Sequence, residues 1–134
     1  MVACPRLSGS IRIDGSLGEE PWTQSTESLL NDASQIHPNY RAEWRGTRDL
    51  SARVRVLLLG SDLYIGIDVT DDVILHEAGK PWWVGDSIEL FLDTDRLSPD
   101  DGAGYSDDDH QIFLLPFHPG LRWGVVSRGP NVPY

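Results

Sequence analysis

The feature that most limits what this chain can fold into is Leu50–Thr70, where apolar residues recur at every second position on both sides of a turn. Val54, Val56 and Leu58 alternate with Arg53, Arg55 and Leu57; beyond Gly60-Ser61-Asp62, Leu63, Ile65, Ile67 and Val69 alternate with Tyr64, Gly66, Asp68 and Thr70. Period two is the pleat of a strand, whose successive side chains point to opposite faces, and it is incompatible with the 3.6-residue period of a helix. Two such runs around a glycine-containing turn predict a β-hairpin with strands of about seven residues. A lone hairpin is marginal in water, so the rest of the chain has to supply further strands.

Further alternating runs are present. In Pro81–Asp95, PWWVGDSIELFLDTD, residues Ile88, Leu90 and Leu92 fall on one face, and Ser87, Glu89, Phe91 and Asp93 on the other. His110–Phe117 places Ile112 and Leu114 on one face and Phe113, Leu115 and Phe117 on the other, and Leu121–Ser127 reads as one more strand. Ile11 and Ile13 alternate with polar neighbours in Ser10–Asp14, which reads as a first strand ended by the turn dipeptide Asp14-Gly15. Leu17–Trp22 reads as a tight turn or a single helical turn that tucks Trp22 against the core. Thr23–Arg48 is irregular, with a short strand around Ser28–Leu30 and with Tyr40 and Trp44 as cover for a sheet face. With 13 Gly and 9 Pro as punctuation, five or six short strands and little helix predict an all-β fold. The expected architecture is an antiparallel β-sandwich of jelly-roll type, with residues 1–134 forming a single domain. The last residues, Arg128-Gly129-Pro130-Asn131-Val132-Pro133-Tyr134, offer no closing strand. A sandwich short of strands exposes an edge, so the domain is expected to be incomplete at its C-terminus.

Charge narrows the partners. The chain has 21 acidic residues against 11 basic ones and a formal net charge of -10. Nucleic acids and anionic membranes reward Lys/Arg clusters, so neither is an expected partner. Neutral ligands and divalent cations fit better. Cys4 is the only cysteine, so no internal disulfide forms. No apolar run has the length of a transmembrane helix or the make-up of a secretory signal, which leaves either a cytoplasmic protein or a mature or excised domain. The sequence carries no sign of the oligomeric state.

Two stretches have chemistry to offer. Trp82 and Trp83 stand in a Pro/Gly-bounded loop directly before the strand that carries Glu89. The C–H face of a pyranose stacks on a flat indole, and a neighbouring carboxylate accepts hydrogen bonds from its hydroxyls. One tryptophan capping the sandwich and the other covering it is the competing structural use of the pair. The loop from Asp93 to Asp109 is rich in aspartate, with Asp93, Asp95, Asp107 and Asp108 as candidate ligands of a calcium ion, and Asp71-Asp72 as further donors. Solvated turns have the same composition, and the spacing is not that of an EF-hand. Glu89 with Asp86 or Asp93 would be the acid pair of a glycosidase, but nothing in the sequence sets their separation. No nucleophile elbow, phosphate loop or His/Cys metal spacing is present. A non-catalytic role is therefore expected.

Four stretches in order, Ile13-Asp14-Gly15-Ser16-Leu17 with Pro21-Trp22, then RVRVLLLGSDLYIGIDVTDD, then PWWVGDSIELFLDTD, then YSDDDHQIFLLPF, make the chain resemble the family 9 carbohydrate-binding modules. These belong to the wider DOMON-like group of β-sandwiches. The resemblance implies a non-catalytic module of a secreted polysaccharide-degrading protein, extracellular or periplasmic. Its ligand would be an oligo- or polysaccharide of xylan or cellulose type, and some members hold structural calcium. It implies Trp83, three residues before Asp86, as the stacking platform, with Trp82 left as the other choice, and Glu89 as the sugar-facing acid. Two departures follow from the same resemblance. Phe113 and Leu115 stand where sugar-binding members present polar side chains, and the second platform tryptophan would lie beyond Tyr134. A sandwich of this family used as a structural or protein-interaction domain is the alternative that Phe113 and Leu115 favour.

Overall fold

The computed structural model describes residues 4–75, 84–94, 109–116 and 123–127, the last as backbone. They fall into two compact units, Met1–Val73 and Ile74–Tyr134. The first holds β1 (Arg6–Leu7), α1 (Glu20–Gln24), β2 (Thr26–Leu30), a 3-10 turn at Ala33–Gln35, β3 (Leu50–Leu59) and β4 (Asp62–Asp71). The second holds β5 (Ile88–Asp93), β6 (Asp109–Leu114) and β7 (Trp123–Ser127). The fold is all-β, as the alternation predicts, and its strands lie in two sheets, as a β-sandwich requires. Among the described residues, helix is confined to α1 and the 3-10 turn.

The predicted hairpin is the frame of the first unit. Leu59 pairs with Asp62, so the loop is Gly60-Ser61, and Gly60 has φ 61°. A positive φ at the first loop position is what the primed two-residue turns need, and their twist matches that of the strands they join. Each strand runs ten residues, not about seven, because the ladder continues to Leu50 opposite Asp71, past the apolar run. Backbone hydrogen bonding sets where a strand ends; side-chain pattern reports only where its buried part ends.

β4 occupies one edge of β3. β2 lies antiparallel on β3 from Thr26 opposite Val56 to Leu30 opposite Ala52, and β1 lies parallel to it at Arg6–Leu58 and Leu7–Leu59. A strand has two edges, so β1 and β2 share the second one end to end. On one face of β3, Leu57 is completely buried. Next to it, Trp22 from α1 comes down on Gly66 of β4: a Cβ at Gly66 would stand 2.6 Å from Leu17 Cδ2 and 3.0 Å from two carbons of the Trp22 ring. Trp22 is 4% exposed, the buried anchor the sequence predicts, and the turn that carries it is the helical one. Pro21 suits the first turn of α1, where a missing N–H costs nothing. The Arg55 guanidinium fastens both flanks of this element, donating to the Leu17 carbonyl at 3.2 Å and pairing with Glu27 at 2.9 Å.

Two expectations for this unit need correction. Ser10–Asp14 is not a strand, and Ile13 is 84% exposed. The free length of β3 edge is taken by Arg6–Leu7, locked by the hydrogen bond from Leu58 N to the Pro5 carbonyl at 2.9 Å. Alternation that no neighbouring strand pairs with leaves the chain irregular. Tyr40 does not cover a sheet face: it is 62% exposed and its ring lies against His37, centroids 5.7 Å apart. Trp44 is half-buried and donates from its indole N–H to the Leu50 carbonyl at 2.8 Å, pinning the loop where β3 starts.

In the second unit the sheet order is β5-β6-β7, all antiparallel. Ile88 to Asp93 pair in order with Leu114 to Asp109. Ile88, Leu90 and Leu92 are half-buried while Glu89, Phe91 and Asp93 are exposed, the predicted two-faced strand.

Candidate functional site

The chain enters β5 through a fixed joint. Gly85 has φ 115°, a conformation that a side chain would strain. Asp86 then makes a two-way tie to Leu75: its N–H donates to the Leu75 carbonyl at 2.9 Å, and its Oδ2 accepts from the Leu75 N–H at 2.5 Å. The tie sets where β5 begins, and so where Glu89 sits along it.

Directly opposed residues of an antiparallel pair share a face. The register therefore places Phe113 opposite Glu89, Gln111 opposite Phe91, and Asp109 opposite Asp93, all on one side of the sheet. The exposed members are on β5, including Phe91 at 53%. The buried ones are on the middle strand β6: Gln111 is 4% exposed and Phe113 3%. Gln111 Nε2 donates to Glu89 Oε2 at 2.9 Å, while Gln111 Oε1 is buried with no hydrogen-bond partner among the described residues. The surface so formed combines an exposed carboxylate, an exposed aromatic ring two positions along the same strand, and a buried amide beside them. Such a surface can accept hydrogen bonds from hydroxyls and cover a C–H face.

A family model described as carbohydrate family 9 binding domain-like matches residues 13–115, more than half of the chain. The chain belongs to this family. No curated protein and no solved structure matches it. The matched stretch of this family 9-like domain takes in β2 to β6, with Glu89, Phe91 and Gln111.

Of the residues singled out from sequence in this family 9-like domain, Glu89 and Asp93 lie on the face just described. Trp82, Trp83, Asp95, Asp107 and Asp108 lie outside the described residues. Gln111 was not singled out. The signal for it was partial: it is a polar residue at the same parity as Phe113 in a largely apolar run, but only the register between β5 and β6 carries that parity to Glu89's face. Phe113 is an interior ring packed opposite Glu89, not an exposed apolar contact, and Leu115 is half-buried.

The acidic residues are differently employed. Among the described residues, no group of three or more His, Cys, Asp or Glu is disposed to hold a metal ion. Asp72 pairs with Arg45 at 3.1 Å, and Asp71 Oδ1 accepts from the Val73 N–H at 3.0 Å, so both carboxylates suggested as extra calcium donors are engaged within the protein. Arg45 also binds Asp49, whose carboxyl is held below the usual aspartate value by the backbone N–H of Arg45 and then by its guanidinium. Asp86 is committed to Leu75. Asp93 is four residues from Glu89 along a strand, about 13 Å at the usual rise, which exceeds the separations that glycoside hydrolysis uses. Among the described residues, no helix is long and apolar enough to cross a membrane.

Proposed function

We propose that this family 9-like domain is a non-catalytic carbohydrate-binding module that holds a neutral sugar on the Glu89 face of β5 and β6. Residues 1–134 act as one domain, carried by a secreted polysaccharide-degrading protein in an extracellular or periplasmic setting. The observation that carries this reading is the exposed pair Glu89 and Phe91 on one face of a strand whose start is tied down by Asp86. Hydroxyls donating to a carboxylate make charge-assisted hydrogen bonds, worth about 1.5–3 kcal/mol each, and aromatic rings cover the apolar side of the sugar. The net charge of -10 disfavours polyanionic glycans, and membership of the family suggests neutral chains of xylan or cellulose type. Trp83, or Trp82 beside it, is the stacking platform. Asp93, Asp95, Asp107 and Asp108 hold a structural calcium ion.

The test is a titration of intrinsic tryptophan fluorescence with xylo- and cello-oligosaccharides, repeated in Trp83→Ala and Glu89→Gln. Quenching that saturates in the wild type and is lost or strongly weakened in both variants supports the reading. A flat signal up to millimolar sugar overturns it. A second reading, a protein-interaction domain, is favoured by the exposed apolar side chains of Ile74, Leu75 and Val84 in the same unit. Self-association or a co-purifying protein in place of sugar binding would support that reading instead.

A further inference from the structure

We propose that Gln111 is a positioning residue for the sugar-facing acid: a buried amide that fixes the direction in which the Glu89 carboxylate meets its ligand. This rests on the reading that the Glu89 face holds a sugar. Gln111 is 4% exposed, sits on the middle strand of three, and donates from Nε2 to Glu89 Oε2 at 2.9 Å. An ionised carboxylate can only accept, so the amide has to turn its NH₂ toward Glu89. Its oxygen then faces the other way, where it is buried and unpaired among the described residues.

An amide placed like this is a poor choice for stability alone. A buried carbonyl without a donor is costly, and an apolar side chain of the same length would fill the space without that cost. What the amide does supply is a rigid, neutral donor. Glutamate on an exposed face has three side-chain torsions to order, and a hydrogen bond from an immobile neighbour restricts them before any ligand arrives. Preorganisation of this kind strengthens binding by lowering the ordering cost. It also uses one acceptor position on Oε2 and leaves the remaining acceptor positions of Glu89 for a ligand. Neutrality matters as much as position. A lysine or arginine at 111 would compensate the charge of Glu89, whereas the amide leaves it whole, and hydroxyls that donate to it make charge-assisted bonds. The arrangement therefore selects a ligand with adjacent hydroxyl donors in a set direction.

The experiment is calorimetric titration of the whole chain with xylohexaose and cellohexaose, beside thermal melts, for the wild type, Gln111→Met, Glu89→Gln and the double variant. Methionine keeps the length and volume of glutamine and removes the donor. The expected result for Gln111→Met is an affinity about tenfold weaker for whichever sugar the wild type takes, with a melting temperature unchanged or raised. Adding Gln111→Met to Glu89→Gln should then cost nothing further, since the two act through one contact. Gln111→Glu places a second carboxylate against Glu89, and two adjacent carboxylates cannot both ionise freely. Its binding should be weaker than the wild type's. If Glu89→Gln weakens binding and Gln111→Met does not, Gln111 only fills the core, and the proposal is overturned with the sugar reading intact. If the wild type takes neither sugar, the sugar reading fails and this proposal with it. If Gln111→Met does not fold, an affinity for sugar unchanged in Gln111→Glu overturns the proposal by itself.

Discussion

Gly66→Ala is the sharpest test of how the first unit holds together. The added methyl carbon would stand 2.6 Å from Leu17 Cδ2 and 3.0 Å from both Cη2 and Cζ3 of Trp22. Ordinary carbon–carbon contact begins near 3.5 Å. The Leu17 contact is with the tip of a flexible side chain, which can turn aside. The Trp22 contact is with two atoms of a rigid ring in a residue only 4% exposed, so relieving it means moving α1 away from the sheet. Overpacking of this kind costs about 1–3 kcal/mol, and replacing Gly by Ala in a strand returns about 0.5–1 kcal/mol. The expected net is a loss of about 1 kcal/mol, at most about 2.5 kcal/mol, read as a lower urea midpoint at unchanged slope. In a Leu17→Ala background the cost of Gly66→Ala should shrink, because one of the two clashes is gone, while the Trp22 clash remains. A Gly66→Ala protein as stable as the wild type would refute the packing of Trp22 on Gly66.

Three other outcomes are expected. Trp44→Phe removes the indole bond to the Leu50 carbonyl and should lower stability by about 1 kcal/mol; no change in the denaturation midpoint would mean that the loop is held by other contacts. The Asp49 carboxyl is kept below its ordinary value by Arg45, so it stabilises the folded state at pH above the ordinary aspartate value, and that contribution disappears as pH falls through the lowered native value. Asp49→Asn should accordingly flatten the acid limb of a stability–pH curve, and a superimposable limb would contradict the assignment. Chelator should lower the melting temperature if Asp93, Asp95, Asp107 and Asp108 hold calcium, since an ion bound only by the folded form stabilises it; an unchanged melt would make the loop a solvated turn.

The parts of the fold legible in the sequence are those where pattern and pairing agree. Leu50–Thr70 alternates for long enough that no other structure accommodates it, and the half-buried Ile88, Leu90 and Leu92 opposed to exposed Glu89, Phe91 and Asp93 follow from the same rule. Trp22 was legible as an anchor because a large ring beside a turn has little else to do. β1 was not legible, because Arg6–Leu7 carries no pattern. It is a strand only because β2 stops at Thr26 and leaves the Leu58–Leu59 edge of β3 vacant. Ile11 and Ile13 carried a pattern but pair with no strand, and the pattern lost. At the site, Glu89 could be found from sequence since its strand face follows from local alternation. Gln111 could not be joined to it without the register between two strands separated by the acidic loop. Its burial and its bond to Glu89 depend on which residues of β6 come opposite β5.

The central claim is that the Glu89 face of β5 and β6 is where a sugar binds. It is most directly tested by following the backbone amide resonances of the labelled protein during titration with xylohexaose and cellohexaose. The account predicts saturable shifts concentrated in residues 86–93 and 109–113 and absent in Glu89→Gln. Saturable shifts confined to the sheet of β1 to β4, or none at millimolar sugar, would contradict it.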